Sequence, residues 1–84
     1  MTREHEEAQA LADELKRDYP FTRVLPDNSV ACVCPLITTT SLILGCTRAG
    51  WAKRFCFESS TLALRRFAEL QSEDDEPAGY IARR

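Results

Sequence analysis

Four cysteines, one histidine and 13 carboxylates are the side chains of this 84-residue chain that could support covalent, metal or acid–base chemistry. Cys32 and Cys34 form a Cys-x-Cys pair, and gaps of eleven and nine residues lead to Cys46 and Cys56. Zinc knuckles use Cys-x2-Cys, which curls two thiolates onto one ion. On a strand, positions i and i+2 lie about 7 Å apart, too far for two sulfurs each about 2.3 Å from a shared zinc. The thiols are therefore expected to be free and buried, acting as small hydrophobes. Zinc ligation and a disulfide are the alternatives. Nucleophilic catalysis needs a base beside the thiol or hydroxyl, yet His5, the one histidine, falls among acids at the start of a helical pattern. The carboxylates crowd into the first helix and the C-terminal stretch, where solvation is their ordinary role. No enzyme and no cofactor are expected.

Charge is distributed unevenly along the chain. Residues 1–20 carry three basic and six acidic groups, whereas residues 47–66 hold Arg48, Lys53, Arg54, Arg65 and Arg66 against the single acid Glu58. These five cations are the candidate partner- or nucleic-acid-binding residues, because clustered Lys and Arg supply the electrostatic footprint for phosphates. The competing expectation is that they pair with the acids of the first helix. Glu4, Glu6, Glu7, Asp13, Glu14 and Asp18, with the run Glu73 to Glu76, can also present negative charge to a basic protein surface, including that of a complex that itself holds nucleic acid.

These residues need a scaffold, and its centre is the stretch 29–58, which holds every cysteine, the sole Trp and most of the β-branched residues. Before it, Thr2 is suited to cap a helix from Arg3 to Tyr19, with Ala8, Leu11, Ala12 and Leu15 as its buried stripe and Lys16 and Arg17 at its end; Pro20 stops it. Phe21 to Leu25 reads as a strand and Pro26-Asp27-Asn28 as a turn. In Ser29 to Cys34 both faces are apolar, as in a central strand. Thr38 to Cys46 is a further strand, with a loop as the alternative for its triple Thr. After the tight connection Thr47 to Gly50, the strand Trp51 to Glu58 puts Trp51, Phe55 and Phe57 on one face, interrupted by Lys53. Ser59 or Ser60 caps a second helix that buries Ala63, Leu64, Phe67 and Leu70 and ends near Ser72.

The expected fold is α+β: a helix, a three- to four-stranded antiparallel sheet and a second helix, with both helices on one face and the other left relatively open. Residues 1–72 form the compact domain and 73–84 an acidic-then-basic solvated tail whose Tyr80 and Ile81 can dock on the domain or on a partner. A core this small leaves homodimerisation open. MTREHEEAQA has no apolar signal segment, and no run reaches the roughly 18 apolar residues of a membrane span, so a cytoplasmic location is expected.

The helix–strands–helix order is similar to the double-stranded-RNA-binding fold, although SSTLALRRF offers only Arg65 and Arg66 where that fold sets a lysine-rich helix start. In size and style, with a cysteine-scattered sheet and a charged tail ending Gly79-Tyr80-Ile81-Ala82-Arg83-Arg84, the chain resembles small phage and prophage accessory proteins, the anti-CRISPR proteins and other defence inhibitors among them. That resemblance implies a viral, stoichiometric inhibitor that binds a host protein complex in the host cytoplasm. A nucleic-acid-binding module and a zinc- or thiol-dependent domain are the other readings.

Overall fold

The structure, a computed structural model, describes residues 3–83, so the proposed cap at Thr2 lies outside the described residues. The elements in chain order are α1 (Arg3–Leu15), β1 (Phe21–Val24), β2 (Val30–Pro35), β3 (Thr40–Leu44), β4 (Lys53–Phe57), α2 (Ser60–Glu69) and β5 (Ala82–Arg83). The five strands form one antiparallel sheet in the order β1-β2-β3-β4-β5. The class is α+β, and four strands lie between the helices, the upper end of the expected three to four, but a fifth strand follows α2.

That fifth strand comes from the stretch expected to stay solvated. Ile81 donates its amide to the Cys56 carbonyl at 2.8 Å, and Ala82 and Arg83 then pair with Cys56 and Phe55. Tyr80 packs its ring 5.0 Å from that of Phe55, and Arg83 closes an ion pair with Glu76 at 2.7 Å. Apolar contact at Tyr80 and local charge pairing thus offset the solvation of the acids.

The helices lie on opposite faces of the sheet, not on one. Alternation along the strands divides the apolar residues into two sets. Ala31, Val33, Leu42, Leu44, Phe55 and Phe57 pack with Ala63 and Leu70 of the α2 layer; Val30, Cys32, Ile43 and Cys46 pack with Ala8, Ala12 and Leu15 of α1. A sheet apolar on both faces needs a cover on each, which overturns the expected open face. Two further expectations shift. Phe67 is half-buried at the margin of the core, and α1 ends at Leu15, where the Asp18 and Tyr19 amides both turn back to the Leu15 carbonyl, at 3.1 and 2.8 Å.

The turns follow local chemistry. Ser59 caps α2 by accepting the Leu62 amide at 3.2 Å. In the β1–β2 turn Asn28 takes φ 67°, which Asn tolerates, while Asp27 accepts from the Ser29 amide and hydroxyl and, through Oδ2, from the Glu73 amide at 2.9 Å. Burial alone would raise the Asp27 carboxyl, but these hydrogen bonds outweigh it and hold its pKa below the ordinary 3.8. A depressed carboxylate contributes stability above its unfolded pKa and loses it as pH falls through the folded one. Asp27→Asn should therefore cost about 0.5–1 kcal/mol at pH 7, the scale of an exposed charged contact. The difference from wild type, read in urea-denaturation midpoints, should shrink as pH falls through the lowered pKa of Asp27; a pH-independent difference would show that the charge is irrelevant.

Candidate functional site

The five sequence-predicted cations do not form one patch. Lys53 and Arg54 are successive residues of β4 and fall on opposite faces, Lys53 with Phe55 and Phe57 toward α2, Arg54 with Ile43 toward α1. Arg65 is exposed on α2, and Arg66 is occupied by Glu69 at 3.0 Å and the Ala78 carbonyl at 3.2 Å. Arg48, in the turn after β3, is held by Glu14 of α1, with Nη2 and Nε at 2.6 and 2.7 Å from one carboxylate oxygen. The competing expectation of pairing with the first helix is thus met at Arg48, while Arg66 pairs with an acid of its own helix.

What the fold does bring together is a cleft on the α1 side. Thr47 and Gly50 close the β3–β4 turn, with the Thr47 amide 2.7 Å from the Gly50 carbonyl, and the Ala52 amide returns to the Leu44 carbonyl at 3.0 Å. Regular pairing resumes only at Lys53. Trp51 therefore lies before the strand and leaves the aromatic face to which alternation assigned it. Its ring sits 5.6 Å from the Arg54 guanidinium carbon, a cation–π contact, and half of the residue (50%) is exposed. Tyr19, in the turn that follows α1, lines the same cleft, and its carbonyl accepts the Thr22 hydroxyl at 2.6 Å. Leu15, Ile43 and Cys46 form the apolar floor, Asp18 and Arg48 stand at the rim, and the volume is about 240 Å³.

Arg54 is the unusual member. Among the described residues it has no acidic partner; its contacts are the Trp51 ring and the Cys56 sulfur, 4.0 Å from Nη2, and its Nε is buried without an acceptor. On the same face the Ser41 hydroxyl is also buried without a partner. Buried donors normally find acceptors. This stretch of the α1-side sheet therefore holds unused hydrogen-bonding capacity beside an exposed aromatic.

The thiols divide by burial. Cys32 and Cys46 lie together under α1; Cys46 donates to Cys32, which lowers the Cys32 pKa despite burial, with help from the Thr22 hydroxyl at 3.7 Å. The same hydrogen bond, with burial and the charge on Cys32, raises Cys46 far above the ordinary thiol range. All four cysteines are free, and among the described residues no three His, Cys, Asp or Glu side chains group closely enough to hold a metal ion. Cys34 alone is half-exposed. In a native-state titration with Ellman's reagent, one thiol equivalent from Cys34 should react quickly and the other three only after denaturation; four fast equivalents would overturn this burial pattern. His5 meets Asn28 at 3.3 Å between Nδ1 and Oδ1.

Sequence reasoning missed that Trp51 and Tyr19 line one cleft. The available signal was a lone Trp directly after a Gly-ended turn, where strand alternation need not yet hold. A second exposed apolar feature, Leu36 and the fully exposed Ile37, forms the tip between β2 and β3. No described helix is long and apolar enough to cross a membrane. In comparisons with known proteins, no family model matches the chain, and no curated protein or solved structure is significantly similar to it.

Proposed function

We propose that this chain is a non-enzymatic binding protein that occludes a surface of a host protein complex, as the phage accessory proteins it resembles would do. The observation that carries this reading is Trp51: a half-exposed indole, backed by Arg54 and set over an apolar floor. Trp and Arg in such pockets are the residue types that dominate protein–protein binding energy. The nucleic-acid reading has less support, because the cations divide between two faces and two are committed to carboxylates. Asp18, in the turn after α1 and at the rim of the same cleft, would also repel phosphates.

The test is a pull-down from bacterial lysate with the tagged protein, with and without nuclease, at moderate and high salt. A defined protein complex should survive nuclease. Trp51→Ala, checked for native circular dichroism, should weaken it by roughly 30-fold, the scale of a 2 kcal/mol anchor. Recovery of nucleic acid alone, or a complex indifferent to Trp51→Ala, would exclude this reading.

A further inference from the structure

Building on the protein-binding reading, we infer that the cleft between Tyr19 and Trp51 takes one apolar side chain of a partner segment that carries a carboxylate beside it. The floor of Leu15, Ile43 and Cys46 offers only apolar contact and a thiol whose one proton is already engaged within the fold, so the inner end of the ligand is apolar. At about 240 Å³ the cleft is smaller than the roughly 300–1,000 Å³ of small-molecule and cofactor pockets. A single side chain delivered by a larger partner fits that size. The two rings then act as walls that bury an anchor with little loss of rotamer freedom, as aromatic side chains do in protein interfaces.

Charge fixes the second element. On the Tyr19 side the rim carries Asp18, and the rim cation Arg48 is neutralised by Glu14. On the Trp51 side, Arg54 has no acid among the described residues. Arg54 does not line the cleft itself but packs on its Trp51 wall, so an uncompensated cation stands beside that end only. A carboxylate one or two positions from the anchor meets Arg54 in a charge-assisted contact, and a basic neighbour is repelled there. A polyanion supplies the same charge but must bring further phosphates past Asp18. One acid beside one apolar anchor matches the surface better.

Two measurements on the intact protein test this. Selection of a random heptapeptide display library should enrich Leu, Ile, Met or Phe with Asp or Glu one or two positions away. Trp51 is the sole tryptophan, so its emission reports occupancy directly, and a selected synthetic peptide should shift it to the blue with saturation. Replacing the peptide's acid by its amide, or Arg54→Gln in the protein, should weaken binding at least tenfold. Arg3→Gln, which removes the same charge at the far end of α1, should leave it unchanged. Enriched peptides without acids, no enrichment, or indifference to Arg54→Gln would each overturn the inference. If the lysate complex still depends on Trp51 in that event, the protein-binding reading stands without it; if that dependence is also missing, both fall.

Discussion

Phe55→Ala should lower the stability of the domain by about 3–5 kcal/mol, the range for deleting a buried aromatic, and shift the thermal midpoint by at least 12 °C at about 4–8 °C per kcal/mol. Phe55 is fully buried at the centre of the α2-side core, paired across the sheet with Leu42 on one side and with Arg83 on the other. Its ring touches Tyr80 at 5.0 Å and lies 5.6 Å from the Arg83 guanidinium carbon. β5 pairs only with Phe55 and Cys56. The truncation should therefore leave a cavity and loosen the C-terminal strand together, so that amide protection at Ile81 and Arg83 falls before global unfolding. Phe67→Ala, at a half-buried position, should cost about 1–2 kcal/mol. Equal losses at the two positions in guanidinium-denaturation midpoints would mean that the core is centred elsewhere.

The contrast between the two phenylalanines shows where the sequence was legible. Periodicity identified the stripes of both helices, and Phe67 lies on one, but a stripe says which way a residue points and not how deep it sits. Depth depends on which sheet face the helix covers. β2 reads as apolar on both faces, and Leu42, Ile43 and Leu44 are apolar in succession; together these already required a cover on each side. Choosing the simplest packing, with both helices on one face, discarded that signal. The tail was opaque for a different reason. Glu73 to Glu76 have the composition of a solvated segment, and tertiary contacts turn the chain back onto the domain: the Glu73 amide on Asp27, Arg66 on the Ala78 carbonyl and Tyr80 on Phe55. The cleft required long-range information as well, because Tyr19 and Trp51 are distant in sequence and come to line one cleft only in the fold, where Glu14 of α1 pairs with Arg48 of the β3–β4 turn. Of the five predicted cations, Arg48 and Arg54 reach that cleft or its wall, and alternation alone could have separated Lys53 from Arg54.

Arg23, which has no evident role in the sequence, should prove the costliest charged residue to replace. Its strand places it on the α2 face, where Nη1 donates to the carbonyls of Phe67 and Leu70 at 2.6 and 3.2 Å and the guanidinium stacks 5.9 Å from the Phe67 ring centre. The last carbonyls of a helix lack intrahelical partners and carry the negative end of its dipole. A half-buried cation donating to two of them is thus both a cap and a tether between β1 and α2. Arg23→Met keeps much of the apolar stem but leaves the Leu70 carbonyl without its side-chain donor and the Phe67 carbonyl with only the Leu70 amide at 3.4 Å, and should cost about 2–3 kcal/mol, the scale of hydrogen bonds involving a charged group. Arg23→Lys keeps the charge without the planar fork that spans two acceptors, and should fall between wild type and Met. Denaturation midpoints rank the three variants, and amide exchange locates the effect: the last turn of α2 should lose protection while β2 and β3 keep theirs. A uniform loss across the sheet would show that Arg23 stabilises through bulk packing, and equal stability of Lys and Arg would show that charge near the helix end suffices without the two-carbonyl geometry.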